Sequence, residues 1–202
     1  MSADLEPTGV WPNSAETNAK GRHMAILLGI CGSLRAGSTN RKLMLEAARL
    51  FEPSGFAEAD LRLPLYDGDA EAANGIPGPV QKLADQISAS AAVVIACPEY
   101  NKAPPGVLKN ALDWVSRTKG APWRNKPVAI MSAAAGRAGG ERTQSALRLM
   151  MTPFRPDLLP GPEVMIAGSG AAFDGDGRLI DDRSVAVLTE LMAALKSAAQ
   201  AG

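Results

Sequence analysis

Ala25-Ile26-Leu27-Leu28-Gly29-Ile30 and Ala91-Ala92-Val93-Val94-Ile95-Ala96 contain no polar side chain. Runs of this length without alternation suit strands buried on both faces. Residues 127–131 and 163–167 read as further strands, and residues 56–63 as a weaker one. Between these runs, residues 41–51, 79–89, 106–117, 139–151 and 182–199 carry apolar side chains at helical spacing. In the first of them Leu43, Ala47 and Leu50 recur, while Arg41, Glu46 and Arg49 are left for water. This alternation predicts an α/β chain, a doubly wound five-stranded parallel sheet with helices on both faces. Ligands of such sheets lie beyond the carboxyl ends of the strands, where strand order reverses. The loops after the first, third and fourth strands are therefore where chemistry is expected.

The sheet occupies residues 24–202, expected to form one domain. Residues 1–23 show no apolar period and read as a flexible tail, with Met24 a possible biological start and His23 at the junction. Lysine plus arginine equals aspartate plus glutamate, 21 of each. No net field then attracts nucleic acid or an anionic membrane. No apolar run is long enough to span a bilayer, and no signal peptide is evident, so a cytoplasmic protein is expected. Two cysteines, Cys31 and Cys97, and one histidine are too few for a disulfide framework or a soft metal site.

The loop after the first strand is Gly32-Ser33-Leu34-Arg35-Ala36-Gly37-Ser38-Thr39-Asn40. Hydroxyls, an amide, a fixed cation and a helix start together are what a phosphate monoester requires. Helix capping explains Ser38, Thr39 or Asn40 singly, but not the cluster with Arg35. No lysine stands in the Walker position, and only two of the three spaced glycines of a dinucleotide site are present. A terminal monophosphate fits better. After the third strand, Pro98-Glu99-Tyr100-Asn101-Lys102-Ala103-Pro104-Pro105-Gly106 is stiffened by three prolines. It offers an acid, an aromatic face and an amide at the sheet rim, a surface suited to a flat heteroaromatic ring with polar edges.

Taken together, the two segments resemble the NADPH-dependent FMN reductases, a family that includes bacterial chromate and quinone reductases. The matching stretches are Gly32-Ser33-Leu34-Arg35 with Ser38 and Asn40, and Pro98-Glu99-Tyr100-Asn101 with Pro105-Gly106 and residues 108–114. Ser132, Gly136, Gly139 and Gly140 look like the family's third loop. The resemblance runs from about Met24 to the C-terminus and implies a flavodoxin-like fold with non-covalent FMN. It implies that Ser33, Arg35, Ser38 and Asn40 hold the FMN phosphate. Pro98, Glu99, Tyr100 and Asn101 would line the isoalloxazine, with Ser132, Ala133 and Gly136 along its other edge. Homodimers or homotetramers are common in the family.

The activity so implied is hydride transfer from NADPH or NADH, through FMN, to a small acceptor such as a quinone, azo compound, chromate or flavin. No catalytic side chain is nominated, because flavin carries the difficult chemistry. Arg137 and Arg142 could meet the nicotinamide cofactor's phosphates, although a solvent-facing role is preferred. Cys31 and Cys97 read as structural. The competing readings are a flavodoxin-type electron carrier, disfavoured by the neutral charge balance, and a non-enzymatic FMN sensor.

Overall fold

Every residue of β1 (Ile26–Cys31), β3 (Ala92–Ala96) and β4 (Pro127–Ala133) is buried. Strands apolar on both sides belong in the middle of a two-faced sheet, and that is where they lie. The computed structural model describes residues 26–201, so the expected tail falls outside the described residues. With β2 (Gly55–Glu58) and β5 (Asp157–Leu158) the strands form a parallel sheet of order β2-β1-β3-β4-β5, and β6 (Val164–Ile166) also pairs with β4. Strand order reverses between β1 and β3, so their carboxyl ends open the crevice of a doubly wound fold.

Alternate side chains of the central strands divide between two cores. Leu27, Val94 and Ala129 pack with α1 (Thr39–Phe51) and α6 (Asp182–Ala201). Leu28, Val93 and Val128 pack with α3 (Gly78–Ala89), α4 (Gly106–Ser116) and α5 (Glu141–Met151). Gly29 lets α1 approach closely, because a Cβ there would stand 2.7 Å from the Met44 sulfur. No helix among the described residues is long and apolar enough to cross a membrane.

Several boundaries differ from the sequence expectation; β2 ends at Glu58, not residue 63, and α1 begins at Thr39, not residue 41. The fifth strand position is shared: β5 pairs with the start of β4 and β6 with its end, around an unpaired stretch holding Pro160, Gly161 and Pro162. Prolines that cannot donate to a ladder hid the two-residue β5 from a pattern reading. A short helix, α2 (Gly68–Asn74), stands where an irregular linker was expected. It buries no residue, so it has no apolar period; Asp67 caps it, and Arg117 and Tyr66 hold its Glu71 from outside. Finally, β4 continues through Ser132 and Ala133, and α5 starts two residues late because Gly139 and Gly140 turn with φ of 61° and 97°.

One amide fastens α1 to the sheet. Asn40 donates from Nδ2 to the Ala133 carbonyl at 2.7 Å and accepts the Ala133 N–H at 2.9 Å. Asn40→Ala leaves both buried backbone groups unpaired and is expected to cost about 2–3 kcal/mol. Urea unfolding checks this, and a loss below about 0.5 kcal/mol, the level of an ordinary surface change, would overturn the clamp.

The thiols share this buried setting. Burial pushes Cys97 up from 9.0 to about 12 and raises Cys31 as well. Above pH 9 the unfolded chain therefore releases the Cys97 proton while the folded chain keeps it. Stability should fall as pH climbs from about 9 to about 12, by the linkage between proton binding and folding. Native protein at mildly alkaline pH should resist iodoacetamide, and both thiols should react once urea unfolds it. Rapid native labelling by mass spectrometry would contradict the assigned burial.

Candidate functional site

At the carboxyl end of β1 the chain turns through residues 32–38 into α1. Gly32 N–H donates to Ala96 O at 2.9 Å, keeping the loop against β3. Ser38 caps α1: its Oγ accepts the Arg41 N–H at 3.4 Å, and its own N–H donates back to Arg35 O at 3.1 Å. The N–H groups of Thr39 and Asn40 have no acceptor within the helix. No acid stands in this first turn, and Arg35 is exposed with no ion-pair partner among the described residues. A Cβ built on Gly37 meets nothing within 4 Å. Free N–H donors, the positive end of a helix dipole, an uncommitted guanidinium and open space suit a phosphate monoester.

Across the crevice, the loop after β3 closes on itself. Tyr100 and Ala103 exchange backbone hydrogen bonds of 3.0 and 3.1 Å around Asn101 and Lys102, whose φ values are 51° and 69°. This is a two-residue turn with both central residues left-handed, and it holds Asn101 rigidly at the rim. The Tyr100 ring is 46% exposed, and its hydroxyl lies 3.3 Å from Ser33 Oγ. Ser33 Oγ also accepts the Arg35 N–H. The two loops are thus joined side chain to side chain.

The Glu99 side chain turns towards α5. Its Oε2 accepts the Thr143 N–H at 3.4 Å and its Oε1 lies 3.7 Å from Arg142. The residue at the start of α5, Gly140, has no side chain to cap with, so Glu99 completes that helix from the neighbouring loop. Thr143 also donates to Pro98 O and contacts Cys97 Sγ at 3.3 Å.

The loop after β4 is anchored from beneath. Ser132, fully buried, donates to Gly139 O at 2.7 Å and accepts from Gln144 Nε2 at 2.8 Å. A Cβ on Gly140 would lie 2.7 Å from Ser132 Oγ, so only glycine admits this contact. Gly136 sits exposed at the loop's tip.

Of the residues expected to touch a ligand, Ser33, Arg35, Ser38, Pro98, Tyr100, Asn101 and Gly136 belong to loops that converge on one rim. The side chains of Asn40, Ser132 and Ala133 turn inward: Asn40 bonds Ala133, Ser132 bonds Gly139 and Gln144, and Ala133 is 2% exposed. They are scaffold beneath the rim. Thr143 and Gln144, 0% and 1% exposed, were not anticipated. The signal for them was positional, since Thr143, Leu147 and Met151 share one helical face and Gln144 lies beside it. Two surface concavities, about 330 Å³ beside Lys42 and Arg178 and about 500 Å³ beside Trp123 and Arg155, are bordered by none of the three loops.

Known proteins agree with this geometry. Residues 25–171 match the family described as NADPH-dependent FMN reductase. An NAD(P)H-dependent FMN reductase of Pseudomonas aeruginosa is 43% identical over 172 residues, 84% of this chain and 92% of that protein. A quinone reductase of Escherichia coli K12 is 40% identical over 141 residues, 67% of this chain and 74% of that protein. Among solved structures, the flavoenzyme NAD(P)H:(acceptor) oxidoreductase FerB of Paracoccus denitrificans superposes with a TM-score of 0.79 at 30% identity, covering 88% of this chain and 98% of that one. The flavodoxin-like fold follows from the sheet order and these neighbours, and the chain belongs to the NADPH-dependent FMN reductase family.

Proposed function

We propose that this chain holds FMN across the carboxyl ends of β1, β3 and β4 and delivers electron pairs from NAD(P)H to a small acceptor of the quinone type. As a member of its family it is an FMN-dependent NAD(P)H oxidoreductase. The observation that carries the placement is the acid-free start of α1 beside Arg35, joined through Ser33 to the exposed ring of Tyr100. The cofactor's phosphate would take Ser33, Arg35, Ser38 and the N–H groups of Thr39 and Asn40. Pro98, Tyr100, Asn101 and the backbone of Glu99 would line the ring system, with Gly136 at its far edge.

Bound FMN supplies the hydride relay, accepting from reduced nicotinamide and giving to the acceptor. The protein's own share is orientation. Arg35 fixes a doubly charged group against a helix end, so the ring is delivered in one register. The left-handed turn at Asn101 and Lys102 presents a preformed backbone, and Ser33 keeps Tyr100 in place. Glu99 secures α5 and thereby the loop that carries Gly136. The two cofactor loops contain no histidine, in keeping with chemistry that needs no side-chain acid or base.

The quinone preference rests on the names of the Escherichia coli and Pseudomonas putida quinone reductases among the relatives. Azo compounds, chromate and free flavin are further acceptors an exposed reduced ring can serve. Self-association as a homodimer or homotetramer and work in the cytoplasm belong to the same proposal. The exposed Leu34 and Tyr100 beside the rim support an oligomer whose contacts lie near the site.

FMN-loaded protein titrated anaerobically with NADPH and then NADH should bleach at the flavin bands by two electrons per site. Flavin that binds but stays oxidised with both donors would sink the reductase reading. Arg35→Ala should weaken FMN binding about 10–100-fold, the loss of one charge-assisted contact, with turnover retained at saturating FMN. Unchanged affinity by fluorescence quenching would remove Arg35 from the phosphate site.

A further inference from the structure

The cavity of about 500 Å³ lies at the opposite end of the sheet from the flavin rim. Its wall is built from the last turn of α4 and from the segments that lead into β4 and β5, at the amino ends of those strands. Seven residues of β4 separate the two regions, about 20 Å of extended chain. No residue placed in the flavin site borders it.

The lining has two chemistries. Val115, Pro122, Trp123 and Phe154 form an apolar floor, with Trp123 only 3% exposed. At the mouth stand Arg124 and Arg155, both exposed and neither in an ion pair among the described residues. Their segments run side by side, since Asn125 N–H donates to Arg155 O at 3.0 Å. Asp113, an acid on the wall, is already neutralised by Lys109.

One buried polar group here is unsatisfied. The indole N–H of Trp123 is shut off from solvent and has no hydrogen-bond partner. The contrast is Trp114, equally buried, whose indole donates to Pro64 O at 2.7 Å. A donor buried without an acceptor bears its full desolvation penalty and calls for an explanation. A volume of this size falls within the range of small-molecule sites, where an apolar lining and a few placed polar groups are usual.

We infer that this cavity is a second binding site, for a small aromatic carboxylate whose ring fills the floor against Trp123 and whose anion pairs with Arg124 and Arg155. A carboxylate suits two uncommitted arginines on neighbouring segments of one cavity wall, since guanidiniums offer it paired N–H donors. A flat ring suits a floor of tryptophan, phenylalanine and proline. The Trp123 indole, buried in this floor, reports on a ring seated against it.

The test uses the FMN-loaded full chain, labelled with ¹⁵N, and 2-naphthoate as the probe. The chain has three tryptophans, Trp11, Trp114 and Trp123, so its indole N–H region is simple, and Trp123→Phe identifies the Trp123 signal. The expected result is a saturable shift of that signal with Kd below about 1 mM, while the Trp114 signal stays in place. The neutral analogue 2-naphthol should bind at least about tenfold more weakly, and R124A/R155A should weaken 2-naphthoate about 10–100-fold. Both arginines are exposed, so the double variant should keep its flavin and its turnover, which verifies that it is folded. A Trp123 signal that does not move, or moves without saturating, overturns the site. Equal affinity for 2-naphthol, or for 2-naphthoate in the double variant, overturns its assignment to an anion.

Discussion

Burial of β1, β3 and β4 from both faces governs everything else in this molecule. Strands with apolar side chains on two sides need a helical layer above and below, and right-handed crossovers supply those layers with few alternatives. α1 and α6 serve one face, and α3, α4 and α5 the other. Along β1, β3 and β4 the side chains are apolar until Ser132, near the carboxyl end of β4. The chemistry is therefore confined to the strand ends, and the crevice where strand order reverses gathers three loops into one rim.

Those loops are held by a buried polar network beneath the rim. Asn40 ties α1 to β4, Ser132 and Gln144 tie β4 to the loop before α5, and Glu99 and Thr143 tie the β3 loop to α5. Most members are fully engaged, which is the condition under which buried polar groups rigidify a structure. Gln144 Oε1 is an exception, a buried acceptor without a partner. The side chains divide by depth: Arg35 and Tyr100 stand exposed at the rim, and buried Asn40, Ser132, Thr143 and Gln144 brace the loops beneath it.

Fold class was legible because the long-range constraint is written locally, as runs such as Ala92–Ala96 with no polar residue. The same reasoning singled out the proposed site, the loops at the carboxyl ends of β1, β3 and β4, with Arg35 standing among hydroxyls in the first of them. Direction was not legible. Asn40 and Ser132 have the chemistry of ligand contacts, yet each spends its hydrogen bonds on a neighbour distant in sequence. Asn40 and Ala133 are 93 positions apart, and no spacing rule links them. α2 escaped notice because a helix that buries nothing leaves no periodic trace, and β5 because two residues are too few for any pattern.

The contact between Glu99 and the start of α5 bears on how such proteins can diversify. Thr143 lies 44 positions downstream of the acid that finishes its helix. The segment from Gly136 through α5 is consequently not a self-sufficient module. Recombination between relatives with a breakpoint between residues 99 and 143 separates the helix from its carboxylate and leaves both buried ends to find new partners. A chimaera must therefore take the two halves together, or acquire a capping side chain at position 140, where Ser132 leaves no room for one.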